Sequence, residues 1–581
     1  MNPFGSRASV GCVLVALLST AGGCGPDAPP PVAPPVAPPA PPPPPPPAPP
    51  TESQRFAPLR DQWLAEQLAE SPAWARRLGR READGKVADY TRAGLATREG
   101  ARVRWLATFA GIDGAKLGSD EALDLAMIRH AIEESGFWTN DVGQYQTRPI
   151  SYSELFDVSD YTDRPYAPKE VRLAKLVEHE EAALKQVAVV RANLVLPLSL
   201  PIAEVAKRQF AGYAVYLRGT VTETFAKIGD PALMARFHAA NTALASEAEA
   251  VVKWFDKEVI PHADQSHVLG KDRYVKLLAA QEGLTTPIAE LKAMNEENLR
   301  QNRNVYDELT ARGVKLLRPL AKNYLAEATF DVASAKAFVV RHGIVTLPMT
   351  DEAVVRETPP YERWNGASIE MSGPFDPTKT AFFNVTLPDP KLSPHDQVEY
   401  LSPHAVLRVT AVHEVYPGHF VQLRYGDRAP TDIQKVLWSY SFVEGWAHYT
   451  EQMMLDEGYE DTPENRLGQV SDALLRNCRF KASIGIHTEG MTVAQATDLF
   501  ANECKQSRPT AKEQAIRGSF DPGYFAYTLG KLEILKLRDE VKAKLGPKFS
   551  LRAFHDALLS HGSAPVPLLR PRVLADLGAV Q

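Results

Sequence analysis

From about Arg55 to the C-terminus, apolar residues recur mainly at three- and four-residue spacing, the period of a helix with one buried face. Two stretches carry the pattern with start signals attached. Asp230-Pro231 opens PALMARFHAANTALASEAEAVVKWF, and Thr286-Pro287 opens PIAELKAMNEENLRQNRNVYDELTARG. Each places a capping side chain before a proline at the first helical position, where a missing N–H costs nothing. Residues 343–400 break the period: Gly and Pro punctuate short β-rich pieces such as AFFNVTL, which predicts a few strands and long loops. No 20 to 50 residue repeat argues for a solenoid. The pattern predicts a mainly α fold with a small β and loop insertion.

The N-terminus follows other rules. Residues 1–24 read MNPFGSRASVGCVLVALLSTAGGC: one positive charge at Arg7, an apolar run from Val10 to about Leu18, then small residues before Cys24. The run is short of the roughly 20 residues a membrane span needs, so it reads as an export signal. Ala21-Gly22-Gly23-Cys24 resembles the processing box of bacterial lipoproteins, in which the cysteine is lipidated and becomes the mature N-terminus. Ala21 stands where Leu is usual, which leaves ordinary signal cleavage or a short uncleaved anchor open. Residues 25–54 are mostly proline, including an unbroken run from Pro41 to Pro47, and lack the apolar bulk for a core. They read as a polyproline spacer between a lipid anchor and a body spanning 55–581.

Composition narrows the function classes. The chain has 581 residues, 44 % of them hydrophobic and 23 % charged, which is ample for a buried core. A formal net charge of −6 and the lack of any Lys/Arg block argue against a nucleic-acid partner. Membrane contact is expected only through the N-terminal lipid, at the cell envelope. Two cysteines, Cys478 and Cys504, remain in the mature body. An oxidising compartment permits them to pair, with two buried thiols as the alternative.

The candidate chemistry is concentrated in Ala405 to Arg424, AVLRVTAVHEVYPGHFVQLR. It resembles the HExxH helix of zinc peptidases, in which two histidines one turn apart bind the metal and the adjacent Glu acts as base. Here His413 and His419 are six residues apart. On a regular helix that is about 600°, or 120° off a shared face. Pro417 cannot donate to the carbonyl of His413, crowds that turn, and biases Tyr416 away from helical angles, while Gly418 adds freedom. The Pro-Gly pair therefore predicts a kinked or interrupted helix that returns His419 to the metal.

HEVYPGH followed by FVQ resembles the bacterial family with domain of unknown function 885, related to the helical gluzincin peptidases. That resemblance implies a gluzincin-like fold, one zinc ion per chain, and a third ligand in Glu444-Gly445-Trp446-Ala447. His413, His419 and Glu444 would be the ligands, and Glu414 the general base acting on a peptide. RFKASIGIH, ending at His487, resembles the family's Gly-x-His segment, with Ser483 where an Asp is usual. Tyr527-Thr528-Leu529-Gly530 and Arg538 resemble its YxxG and LR element. His487 and Tyr527 are thus candidate catalytic groups, and Arg479 or Arg538 could bind a substrate C-terminal carboxylate. His448 lies one turn after Glu444 but is left out of the site, and Glu451 reads as a solvated helix residue. Two other classes remain open. A non-haem iron enzyme would use the same two His and one carboxylate, but has no need of the spare Glu414. A non-catalytic surface lipoprotein could keep the metal site as a structural or vestigial one.

Overall fold

The computed structural model describes residues 49–359, 362–363 and 366–579, so the export signal, Cys24 and most of the proline segment lie outside the described residues. The body is mainly α, as the periodicity predicts. The two marked segments form helices α1, Pro231–Trp254, and α2, Ile288–Ala311. Asp230 caps α1 by accepting from the backbone N–H groups of Ala232 and Leu233. Thr286 does not cap α2, because Pro287 itself occupies the cap position with φ −58° and ψ 140°.

Three strands form the insertion: β1, Val354–Glu357; β2, Ala367–Met371; and β3, Ala381–Val385. Their order is β1-β3-β2, with β1 parallel and β2 antiparallel to the central β3. Central position explains why Ala381, Phe383 and Val385 of β3 are buried, whereas β2 is left as an edge.

The helices that matter for the site follow in order: α3, His404–Glu414; α4, His419–Gly426; α5, Tyr440–Asp456; α6, Pro463–Thr488; α7, Val493–Asn502; α8, Arg508–Phe520; and α9, Ala526–Leu545. Ser439 caps α5 by accepting from the N–H of Phe442, and Thr462 caps α6 ahead of Pro463. The apolar side of α5, Phe442, Trp446, Tyr449 and Met453, is fully buried in the largest core cluster. Each such side chain stabilises the fold by roughly 1.5–3 kcal/mol as an upper estimate. That cluster also contains Phe56, Trp63, Trp105 and Phe109, so the first helices pack on the core that holds the site. A separate cluster from Ala88 to Val259 builds the N-terminal helical part. No helix among the described residues is long and apolar enough to cross a membrane.

Helices α5 and α9 cross at Gly445 and Gly530. A side chain on Gly530 would overlap the carbonyl oxygen of Ser441, and one on Gly445 would overlap the backbone of Gly530. Glycine at both positions is the condition for this contact, which sets α9 directly against the helix carrying Glu444.

Candidate metal centre

The helix stops at Glu414 and restarts at His419, as the Pro-Gly pair predicts. Val415 leaves helical angles at φ −120° and ψ −79°, the Tyr416–Pro417 peptide is cis, and the N–H of Gly418 returns to the carbonyl of Val412 at 3.0 Å. A Cβ on Gly418 would overlap the carbonyl of His413, so only glycine allows so tight a return. The indole N–H of Trp446 holds the interruption by donating to the carbonyl of Pro417 at 3.0 Å.

This backbone brings the rings of His413 and His419 to 4.8 Å between centroids at 84° to each other. Glu444, from α5, places Oε2 at 3.5 Å from Nε2 of each. One ligand atom from each of the three residues lies within 4.8 Å of the others. Glu444 Oε2 is buried without a hydrogen-bond partner, and an orphaned carboxylate oxygen between two imidazole nitrogens is what a divalent cation would satisfy. Two His and one Glu are a donor set suited to zinc, so these residues fit the ion.

Glu451 corrects the sequence reading. It is buried, not solvated: Oε1 accepts from Nδ1–H of His413 at 2.7 Å, and Oε2 accepts from Nδ1–H of His448 at 2.9 Å. The guanidinium of Arg476, from α6, stands 3.1 Å from Oε1. Burial alone would raise the Glu451 carboxyl, but Arg476 and the two histidines outweigh it and hold the group well below the usual carboxylate range. Burial pushes His448 down to about 3, so it stays neutral and keeps its proton on the Glu451 side. Fixing Nδ1–H of His413 in this way leaves Nε2 as the ligating atom. A signal was present in the sequence: Glu444, His448 and Glu451 are spaced i, i+4 and i+7, one polar row beside the apolar side of the helix.

Glu414 points to the sheet. Its Oε2 accepts from the N–H of Ile369, on the edge strand β2, at 2.9 Å. In the antiparallel ladder Ala367, Ile369 and Met371 turn their backbone groups away from β3; of these, the N–H of Ile369 is taken by Glu414 and the carbonyl of Met371 by Arg164 at 3.1 Å.

Tyr527, at the start of α9, is also part of the surroundings. Its ring meets that of Tyr440 at 6.0 Å, and its oxygen accepts from Arg517 at 3.4 Å, which leaves its own O–H free to donate. Arg479 lies over the same ring at 4.7 Å. The other two candidates are not brought there. Nε2–H of His487 donates to the carbonyl of Gly518 at 2.8 Å, and Nδ1 accepts from the N–H of Leu269 at 3.4 Å. With both nitrogens taken by backbone, His487 ties α6 to α8 and has no atom left for a substrate. Ser483, in the position where the family resemblance expects an Asp, bonds Tyr274 and the carbonyl of Pro522 instead. Arg538 is three turns beyond Tyr527 on α9, about 16 Å along the axis. It donates to Tyr449, whose hydroxyl meets His555 on another side of α5. Cys478 of α6 and Cys504 after α7 form a disulfide, which anchors the helix that supplies Arg476 and Arg479.

Two solved structures are similar over nearly the whole chain. One is a protein of Shewanella oneidensis described as a candidate lipoprotein of unknown function, 26 % identical, with a TM-score of 0.73, covering 89 % of this chain and 99 % of its own. The other, a candidate lipoprotein of Colwellia psychrerythraea, is 17 % identical with a TM-score of 0.69 and covers 91 % of this chain and 100 % of its own, a likeness of fold alone. No curated protein matches. The family model described as bacterial protein of unknown function (DUF885) matches residues 72–573, and the chain belongs to that family.

Proposed function

We propose that the protein is a zinc-dependent peptidase of the cell envelope. The observation that carries the reading is Glu414: a carboxylate next to a three-ligand cluster, not used as a ligand, and aimed by the N–H of Ile369. A structural metal site has no use for such a group, and an iron triad has no need of it. Zinc, held by His413, His419 and Glu444, would supply Lewis acidity, polarising the scissile carbonyl and lowering the pKa of water to about 7.

The rest of the chemistry belongs to the chain. Glu414 takes the proton of the attacking water and hands it to the leaving amine. Tyr527 can donate its free O–H to the oxyanion that forms. Those outward groups of β2 that Glu414 and Arg164 do not take could pair with an extended peptide, which would lay the scissile bond alongside Glu414.

Metal analysis together with hydrolysis of a mixed peptide library tests the proposal. One zinc per chain and cleavage of some peptides are expected. His413→Ala, His419→Ala and Glu444→Ala should each strip the metal by removing one of three ligands. Full zinc occupancy in Glu444→Ala would move the third ligand elsewhere.

Placement at the envelope rests on the box before Cys24 and on the description of the 26 % identical structural neighbour as a candidate lipoprotein. Cys24→Ser should release the protein from membranes into the soluble fraction. A wild type already soluble and beginning at another residue would refute the anchor.

A further inference from the structure

Three arginines surround the ring of Tyr527: Arg479 at 4.7 Å, Arg476 at 5.8 Å and Arg517 at 6.0 Å. Two of them are neutralised. Arg476 pairs with Glu451 at 3.1 Å and Asp472 at 2.9 Å, and Arg517 with Asp521 at 3.1 Å. Arg479 is different. It is only 8 % exposed, its Nε donates to the neutral amide of Gln514 at 2.9 Å, and no carboxylate among the described residues pairs with it. Among the described residues, its two terminal nitrogens make no hydrogen bond. A buried guanidinium without a counter-charge is costly, and an anion brought from outside would relieve that cost.

This cluster adjoins the metal centre by two routes. Tyr440, whose ring meets Tyr527, lies one turn before Glu444 on α5. Arg476, which also faces Tyr527, holds Glu451, and Glu451 holds His413. With zinc in place the positive field on this side would be larger still.

Resting on the peptidase reading, we propose that Arg479 anchors a carboxylate of the peptide substrate against the face of Tyr527. The planar fork suits a carboxylate taken bidentately, and the flat ring behind it fixes the plane of the guanidinium. Arg538, the other sequence candidate, has no part in this subsite. The carboxylate could be the peptide's C-terminus or an acidic side chain close to the scissile bond, and the same chemistry serves both.

The test uses zinc-loaded protein and four matched peptides: C-terminal acid or amide, and, among amides, Glu or Gln beside the scissile bond. In wild type one member of a pair should be cleaved with about 10²-fold higher kcat/KM, in line with a charge-assisted hydrogen bond made by a buried group. Arg479→Gln should bring that ratio close to one, with zinc content measured alongside to show that the metal ligands are intact. Arg479→Lys, which keeps the charge, should recover part of it. A preference that follows the terminus or one that follows the side chain identifies the source of the carboxylate. Equal rates on all four peptides, untouched by Arg479→Gln, would overturn the anchor while leaving the peptidase reading intact. Calorimetry on Glu414→Gln, which needs no turnover, separates the two failures. Tighter binding of the carboxylate peptide there, with no hydrolysis by wild type, would keep the anchor and sink the peptidase.

Discussion

Glu414→Gln should keep its zinc and lose turnover by 10² to 10⁴, the range typical of an absent general base. The amide preserves size, and its oxygen can still accept from the N–H of Ile369, so β2 stays in place against α3. What disappears is the group that accepts the proton of water. The three ligands are untouched, and because Glu414 is not among them the loss should fall on kcat with KM little changed. Zinc content and peptide hydrolysis measured on the same preparation check this. Near-normal turnover with full zinc would remove the proposed mechanism, whatever the ligands are.

The helix break at the site was legible because it depends on local chemistry. Pro417 and Gly418 act on their own turn, so an interruption between His413 and His419 could be read without any tertiary contact. The start of α1 follows likewise from Asp230 and Pro231. Thr286 was misread as a cap because Pro287 can occupy either the cap or the first turn, and only the path of the entering chain decides which. Glu444 came from family resemblance rather than from its spacing, since nothing local fixes how far away a third ligand lies.

The misses are all matters of tertiary placement. Glu451 looks like a surface residue on a helical period because its partners, His413 and Arg476, come from other helices. His487 looks catalytic as a Gly-x-His element until the backbones of Gly518 and Leu269 are seen to take both nitrogens. Arg538 shares a row of α9 with Tyr527, and only the axial rise separates them. The Gly445–Gly530 crossing was half visible: a glycine in α5 implied close approach of another backbone, but not which one.

Glu451→Ala should be the most disruptive single change near the site that replaces no metal ligand. Two donors and a cation converge on this carboxylate: Nδ1–H of His413, Nδ1–H of His448 and the guanidinium of Arg476. Removing it leaves Arg476 with Asp472 alone and strands two buried imidazole protons. Breaking a buried ion pair from one side costs about 3–5 kcal/mol when the remaining charge is left uncompensated; Asp472 keeps Arg476 partly paired, so the loss should fall below that range. The metal should weaken as well. Without Glu451 the His413 ring loses what holds its tautomer and orientation, and loss of such a partner typically lowers metal affinity by about 10- to 100-fold. Glu451→Gln separates the two effects. Its oxygen can serve His413 or His448 but not both, since its NH2 would face the other donor, so it should fold better than the alanine variant and still bind zinc more weakly than wild type. Thermal unfolding with and without zinc, together with chelator competition, measures both quantities. If Glu451→Ala binds zinc and unfolds like wild type, the carboxylate neither orients His413 nor neutralises Arg476, and the polar row on α5 is incidental to the site.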